Sequence, residues 1–352
     1  MSRTGSSGPT ALALVESPAQ LMNVVELVHS TPDLTGLHIA VLAPASGPTR
    51  LQLRAMMALT RQAGHHVTWY EPRLGGASVA RTVRALAVEL SNVEQLIVGD
   101  PFSGVIQVII SISRNAEVTI VDDGTATLEF ARQWVAGEQL SRWHRLATPS
   151  QRRQIASLAR DQIAGNVRRR LSPEHGGRLR LFTCMPVDLP GVEVIRSDFS
   201  WVREQYPNPE VRATADLVGT SLVESGVVQG EHYLEGVESL LTRYQASRYF
   251  AHRKEAEWKL DLIARMGIEV LRTDLPLELI ARRGPMGHTV VSFPSTVVHT
   301  LPVVLAGTPI EVVVAEIPPS WYAAQTDVRA DAFLNRVTTT AQRRYGLAAV
   351  AS

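Results

Sequence analysis

The stretch Glu117–Arg132 reads EVTIVDDGTATLEFAR. Its first part, EVTIV, is β-branched and almost wholly apolar, as a strand covered on both faces would be. Its last part, TATLEFAR, has the spacing of a helix. Asp122, Asp123 and Gly124 stand at the junction. A strand that ends on two carboxylates and restarts as a helix is either turning a corner or presenting chemistry. Repeated along a chain, the same junction builds a parallel sheet with helices on both faces.

It is repeated here. Upstream, TALALVES (Thr10–Ser17), LHIAVLAP, HHVTWYEP and VEQLIVGDP read as strands. PAQLMNVVELVHS, RLQLRAMMALTRQAG and VARTVRALAVELS read as the helices between them, with Pro18 suited to a first turn. SGVIQVIISISRNA reads as another helix, although its isoleucines also permit a strand. Downstream, PSQRRQIASLARDQIAGNVRRRLSPEHGG is helical and basic and closes on Pro173 and Gly176-Gly177, which read as a linker. Its arginines form a solvated helix face or, alternatively, a surface for anionic lipid or a charged acceptor. The alternation then resumes in RLRLFTCMPV, ADLVGTSLVES, ASRYFAHRKE, IEVLRTDLP, TVVSFPST and IEVVVAEI, with GVESLLTRYQ and EAEWKLDLIARMG as helices. The expected fold class is α/β: two Rossmann-like domains, 1–175 and 176–352, facing a cleft. The final stretch, from SWYAAQ onward, reads as a loop and a helix. In such folds a last helix often returns to the first domain, and the same is expected here.

The chain's 352 residues suit two cores better than one. With 45% hydrophobic and 20% charged residues it is a folding sequence, not a disordered one. A formal net charge of +1 provides no global field for nucleic acid. One cysteine, Cys184, excludes a disulfide scaffold, fits a reducing compartment and reads as a small core residue. The N-terminal MSRTGSSGPT lacks the apolar run of a signal peptide. The most apolar region, Thr289–Ile317, is broken by Pro294, His299, Pro302 and Pro309. That suits buried strands and a short helix better than a lipid-spanning one. A cytoplasmic protein is expected, with peripheral contact at a membrane face allowed.

Ligands of open α/β sheets lie beyond the carboxyl ends of the strands, so candidate residues are sought there. Asp122 and Asp123 qualify: either could act as a base on a hydroxyl, or the pair could be an Asp-Gly turn that caps the following helix. His252 follows a strand-like run beside Arg253 and Lys254, which suits an anion. Ser292, Ser295 and Thr296 stand between a strand and an apolar helix, where a phosphate fits, as does plain N-capping. Gly219 and Thr220 lie at another strand end, where a nucleotide could approach the backbone or the chain could simply turn. Glu278 is a candidate for a ribose hydroxyl. There is no Walker loop, no GxGxxG after a strand and no zinc-type His/Cys spacing, so metal catalysis is not supported.

Taken together, these motifs resemble the bacterial sialyltransferases of the two-domain GT-B type, above all the lipooligosaccharide sialyltransferase and capsule polysialyltransferase families. Asp122-Asp123-Gly124 matches their acidic-acidic-Gly motif. His252 in YFAHRKE matches their histidine motif, and Ser295-Thr296 in SFPSTVVHTL their serine motif, all in the family's order. VESPAQLMNVVEL resembles their first strand and helix, and VGTSLVESGVV the opening of their second domain. One departure stands out: Arg253 follows the histidine where the family usually has proline.

The resemblance implies an inverting, metal-independent transfer of sialic acid or a related sugar from a CMP-sugar to a glycan or glycolipid hydroxyl, with no further cofactor. Asp122 would be the base and Asp123 its support. His252 would stabilise or protonate the CMP phosphate, which Ser295 and Thr296 hold; Gly219 and Thr220 would line the nucleotide pocket. The alternatives are another GT-B nucleotide-sugar enzyme (a UDP- or GDP-sugar transferase or an epimerase) and a non-catalytic nucleotide-binding protein of the same fold.

Overall fold

The computed structural model describes residues 10–75, 77–113, 117–140, 162–324 and 328–351. The N-terminal residues 1–9 and the arginine-rich stretch 149–161 discussed above lie outside the described residues. The chain divides into two compact units, Met1–Ser197 and Asp198–Ser352.

The first unit runs β1 (Ala11–Val15), α1 (Pro18–Ser30), β2 (Leu37–Leu42), α2 (Gly47–Gln62), β3 (His66–Tyr70), α3 (Ser78–Asn92), β4 (Gln95–Val98), α4 (Gly104–Ile112), β5 (Glu117–Val121) and α5 (Thr125–Val135). Helical residues 162–171 (α6), β6 (Leu179–Thr183) and β7 (Glu193–Arg196) complete it. All seven strands are parallel, in the order β3-β2-β1-β4-β5-β6-β7. Every residue of β1 is buried, whereas the edge strand β7 is buried nowhere along its length. That gradient explains why central strands read as unbroken apolar runs. The isoleucine-rich 104–112 is helical. In α6, Arg168 donates to the carbonyls of Gln133 and Trp134 at the end of α5, and its guanidinium lies over the Trp134 ring. Arg170 donates to the Ser113 carbonyl. These two basic side chains close helix ends that carry partial negative charge.

The second unit contains α7 (Ser200–Gln205), β8 (Val211–Arg212), β9 (Ala215–Val218), α8 (Gly230–Tyr244), β10 (Ala246–Ala251), α9 (Glu257–Arg265), β11 (Glu269–Arg272), α10 (Leu277–Arg283), β12 (Met286–Gly287), β13 (Thr289–Ser292), α11 (Val297–Val304), β14 (Glu311–Glu316), α12 (Val328–Tyr345) and β15 (Ala348–Ala351). Its six-stranded parallel sheet has the order β11-β10-β9-β13-β14-β15. Tyr233, Tyr249, Phe293 and Trp321 lie in its core. At the amino ends of the strands, buried Asp216 takes Arg248 in a two-point pair (2.8 and 2.6 Å) and also the Gly287 N–H.

Three expectations are corrected. The division falls at Ser197/Asp198 rather than 175/176, because RLRLFTCMPV is β6 and pairs with β5 in the first sheet. The Pro173–Gly177 stretch is therefore a connection within one unit. The last helix, α12, belongs to the second unit, where β15 behind it pairs with β14. The apolar stretch Thr289–Ile317 resolves into β13, α11 and β14, as its prolines require, and no helix among the described residues is long and apolar enough to cross a membrane.

One core feature yields a pH prediction. His299 of α11 is fully buried, meets the Tyr345 ring edge-on, and has no partner on either ring nitrogen. Burial, aided by Arg344, lowers its pKa to about 4. The unfolded chain, with an ordinary histidine near 6.5, takes up the proton more readily. His299 therefore contributes full stability above about pH 6.5 and loses it as pH falls toward 4. Denaturant titrations at pH 7.5 and 5 should show this loss in the wild type and a smaller one in His299→Phe. Equal losses in the two proteins would rule it out.

Candidate functional site

Each sheet has one point where the strand order reverses, and in open α/β sheets ligands bind beyond the carboxyl ends of the strands at such a point. In the second unit this point lies between β9 and β13. Register pairs Val218 with both Phe250 of β10 and Ser292 of β13. The chain therefore leaves three neighbouring strands side by side as Gly219-Thr220, His252-Arg253-Lys254 and Phe293 to Thr296. Sequence-predicted residues from three separate motifs are brought to one edge.

Beneath that edge lies a buried polar chain. The Thr220 N–H donates to Tyr233 Oη (3.1 Å), which lies 2.9 Å from Tyr249 Oη; Tyr249 in turn donates to Glu255 Oε1 (2.6 Å). Burial pushes both phenols well above their ordinary range, so they stay protonated and donate. Lys259, fully buried, reaches Glu255 Oε1 (2.8 Å), Glu224 Oε2 (3.1 Å) and the Thr220 carbonyl (3.0 Å), and lies over the Tyr233 ring. Glu255 Oε2 accepts the His252 N–H (2.5 Å), while the Glu255 N–H returns to the His252 carbonyl (2.9 Å). Burial raises the Glu255 pKa and Lys259 opposes it. Gly219 is where this packing needs a glycine: a Cβ there would collide with Glu255 and the Tyr249 hydroxyl. Its role in this chain is to admit the buried pair.

This network was missed in the sequence, although a signal existed. Lys254 and Lys259 are the only lysines of a chain otherwise supplied with arginine. A compact ammonium suits the closed space between two glutamates and a carbonyl better than a planar guanidinium.

The network fixes what sits above it. His252 Nδ1 accepts the Lys254 N–H (3.2 Å), which leaves Nε2 as the N–H of the neutral ring. Burial, with Arg253, Lys254 and Lys259 nearby, lowers its pKa to about 3. In this state the neutral ring offers a hydrogen bond from Nε2. Thr220 is 3% exposed, with its hydroxyl at the Tyr233 phenol. Ser292 is buried, donating to the Phe293 carbonyl and lying 3.3 Å from Ser295 Oγ. Thr296 is the N-cap of α11 and makes no side-chain cap bond. The expected capping by Ser292 or Ser295 is thus absent, and half-buried Ser295 and Thr296 border a helix N-terminus without a side-chain cap. Glu278 is buried and accepts from Thr300 of α11 (2.6 Å), tying α10 to α11.

In the first unit the reversal lies between β1 and β4. Asp122, 2% exposed, is surrounded by donors. Oδ1 accepts the Gly124 N–H and the Thr127 hydroxyl (both 2.7 Å); Oδ2 accepts the Thr183 hydroxyl (2.5 Å) and the Cys184 N–H (3.3 Å), with Cys184 Sγ at 3.6 Å. Burial raises its pKa and these donors oppose the rise. Gly124, at φ 67°, makes the turn into α5. At the Asp-Asp-Gly junction Asp122 clamps β5 to the start of α5 and to the end of β6. Cys184 is buried, as expected, against that clamp. Asp123 is half-buried and accepts from Ser17 (3.2 Å), so it is the more accessible of the two acids. Among the described residues, no group of three or more His, Cys, Asp or Glu could hold a metal ion.

No protein-family profile and no curated protein matches the chain in sequence. Solved structures do match. A putative UDP-N-acetylglucosamine 2-epimerase from Listeria monocytogenes superposes with a TM-score of 0.50 at 9% identity, over 97% of this chain and 92% of that one. The UDP-N-acetylglucosamine 2-epimerase from Rickettsia bellii gives 0.49 at 8% identity, over 97% and 91%. MurG from Acinetobacter baumannii gives 0.40 at 11% identity, over 97% and 86%. The first likeness shows the fold: two parallel α/β sheets of the GT-B-like kind.

Proposed function

We propose that this protein is a GT-B-type nucleotide-sugar enzyme whose second unit binds the nucleotide phosphate at the β9/β13 edge. One observation carries the reading: the ends of β9, β10 and β13 bring Gly219-Thr220, His252-Arg253-Lys254 and Ser295-Thr296 to one edge, at the start of α11. A phosphate oxygen at this edge would take the free N–H groups at the start of α11, with the Thr220 hydroxyl beside them. The N–H of neutral His252 and the charges of Arg253 and Lys254 add donors from β10.

Two versions differ in the nucleotide. The sequence motifs favour transfer from a CMP-sugar to a glycan or glycolipid hydroxyl. The activity named for the Listeria protein favours rearrangement of a UDP-sugar without an acceptor. Calorimetry with CMP, CDP, UMP, UDP and GDP, with and without magnesium, separates them. We expect one of these to bind, and Thr220→Val to weaken it about tenfold through loss of one hydrogen bond to a charged oxygen. CMP preference supports the transferase and UDP preference the epimerase-like version. If none of the five binds, the nucleotide reading is wrong.

A further inference from the structure

The first unit holds a carboxylate, an imidazole and a hydroxyl in series, made of none of the residues considered so far. Glu89 lies near the end of α3, His38 on β2 and Thr68 on the edge strand β3. His38 Nδ1 is 2.5 Å from Glu89 Oε2, and His38 Nε2 is 3.0 Å from Thr68 Oγ1. His38 is 5% exposed, and the exposed His66 packs against its ring with centroids 4.8 Å apart. A carboxylate at Nδ1 keeps the ring proton there, so Nε2 accepts from the Thr68 hydroxyl. Thr68 is half-buried and stays in reach of a ligand. The order is that of an activated nucleophile: a base in hydrogen-bond contact with a hydroxyl, and a third group that orients the base.

Two further features suit such a group. The first is a donor for a developing oxyanion. The Val67 carbonyl points away from the sheet, where Arg61 takes it (2.9 Å), and the Tyr70 carbonyl points inward, to the Ala43 N–H (2.9 Å). Backbone groups alternate along a strand, so the Trp69 N–H, directly after Thr68, points outward as Val67 does. The second is a groove of about 410 Å³ along β3 and α3, lined by Trp69, Tyr70, Leu74, Thr82 and Ala85 among others. Tyr70 is the next residue to Thr68 on the same face of β3, and Glu89 lies one turn beyond Ala85 on α3. The groove therefore ends against the three residues. The Trp69 ring and the exposed Leu74 give it an apolar lining for an acyl chain.

We propose that Thr68 is the nucleophile of a hydrolytic site for esters of short apolar acids. Thr68 Oγ1 attacks the ester carbonyl carbon as its proton passes to His38 Nε2, and the Trp69 N–H receives the oxyanion. The bond from that carbon to the alcohol oxygen then breaks, and the alcohol leaves with the proton from His38. The acyl group is now ester-linked to Thr68. Water attacks it, giving a proton to His38. The acid departs, and that proton returns to Thr68 Oγ1. One ester and one water thus yield one alcohol and one acid. Glu89 touches no reacting atom and is a positioning residue, which holds the imidazole in the required tautomer. The site stands on the first unit alone and does not depend on the nucleotide reading.

The test uses the full chain with p-nitrophenyl acetate and p-nitrophenyl butyrate, and a fluorophosphonate probe that traps activated hydroxyls. The probe should label Thr68 of the unaltered protein, located by mass spectrometry of a digest, so this arm requires no variant to fold. Thr68→Val, close in shape, should lower ester turnover about a hundredfold, and Thr68→Ser should retain it. Glu89→Gln should lower kcat about a hundredfold with KM little changed, a split that a purely structural role would not produce. An unlabelled Thr68, or a Thr68→Val protein that hydrolyses both esters as fast as the wild type, overturns the site. An unchanged kcat in Glu89→Gln overturns the positioning role of the carboxylate.

Discussion

Asp122→Ala should lower the melting temperature of the transition containing the first unit by on the order of 10 °C. The clamp explains the size. Removing the carboxylate strands the N–H groups of Gly124 and Cys184, which cannot rotate to new partners as the Thr127 and Thr183 hydroxyls can. Each buried orphan costs about 1–3 kcal/mol, and a kilocalorie shifts a unit of this size by about 2–4 °C. Asp123→Asn is the control: its oxygen can still accept from Ser17, and melting should stay close to wild type. Calorimetric melting of both variants decides the matter. If Asp122→Ala melts with the wild type while abolishing turnover, the acid is a catalytic base after all and the clamp reading is wrong.

Lys259→Met should be the most damaging single change in the second unit. It leaves the Glu255 carboxylate enclosed without its cation, and breaking one side of a buried pair costs about 3–5 kcal/mol. Glu255→Gln added to Lys259→Met should recover part of the loss, because an amide oxygen can still accept from Tyr249 or the His252 N–H without carrying charge. The effect reaches the proposed phosphate edge, since Glu255 holds the backbone of His252 and Lys259 holds the carbonyl of Thr220. Nucleotide affinity should therefore fall in Lys259→Met at temperatures where it is still folded. Denaturant titration of the single and double variants tests the pair. A Lys259→Met protein as stable as wild type would show that the ammonium is dispensable.

Much of the architecture was legible in the sequence. Ten of the strand and helix segments up to Val135 appear where the apolar runs and Pro18 indicate them, because a strand buried on both faces must be apolar throughout. Parallel strands send all their carboxyl ends to one edge, so Gly219, His252 and Ser295 had to be neighbours once β10, β9 and β13 were adjacent. The position of the division between units was not legible. RLRLFTCMPV has the same pattern whichever sheet it joins, and only its pairing with β5 decides.

The sequence by itself determined the alternation, the parallel sheets and the residue types at their carboxyl edges, since these follow from local periodicity and side-chain chemistry. Tertiary structure alone decided which of those residues are enclosed and which are open. Asp122 and Asp123 are adjacent and chemically alike, yet Thr183 and Cys184, distant in sequence, close over the first and not the second. Nothing in the linear order pairs Glu16 with Arg73 and Ser103, yet both donate to its carboxylate. Burial and hydrogen-bond satisfaction are properties of what surrounds a side chain, and those surroundings are assembled from segments that the linear order keeps apart.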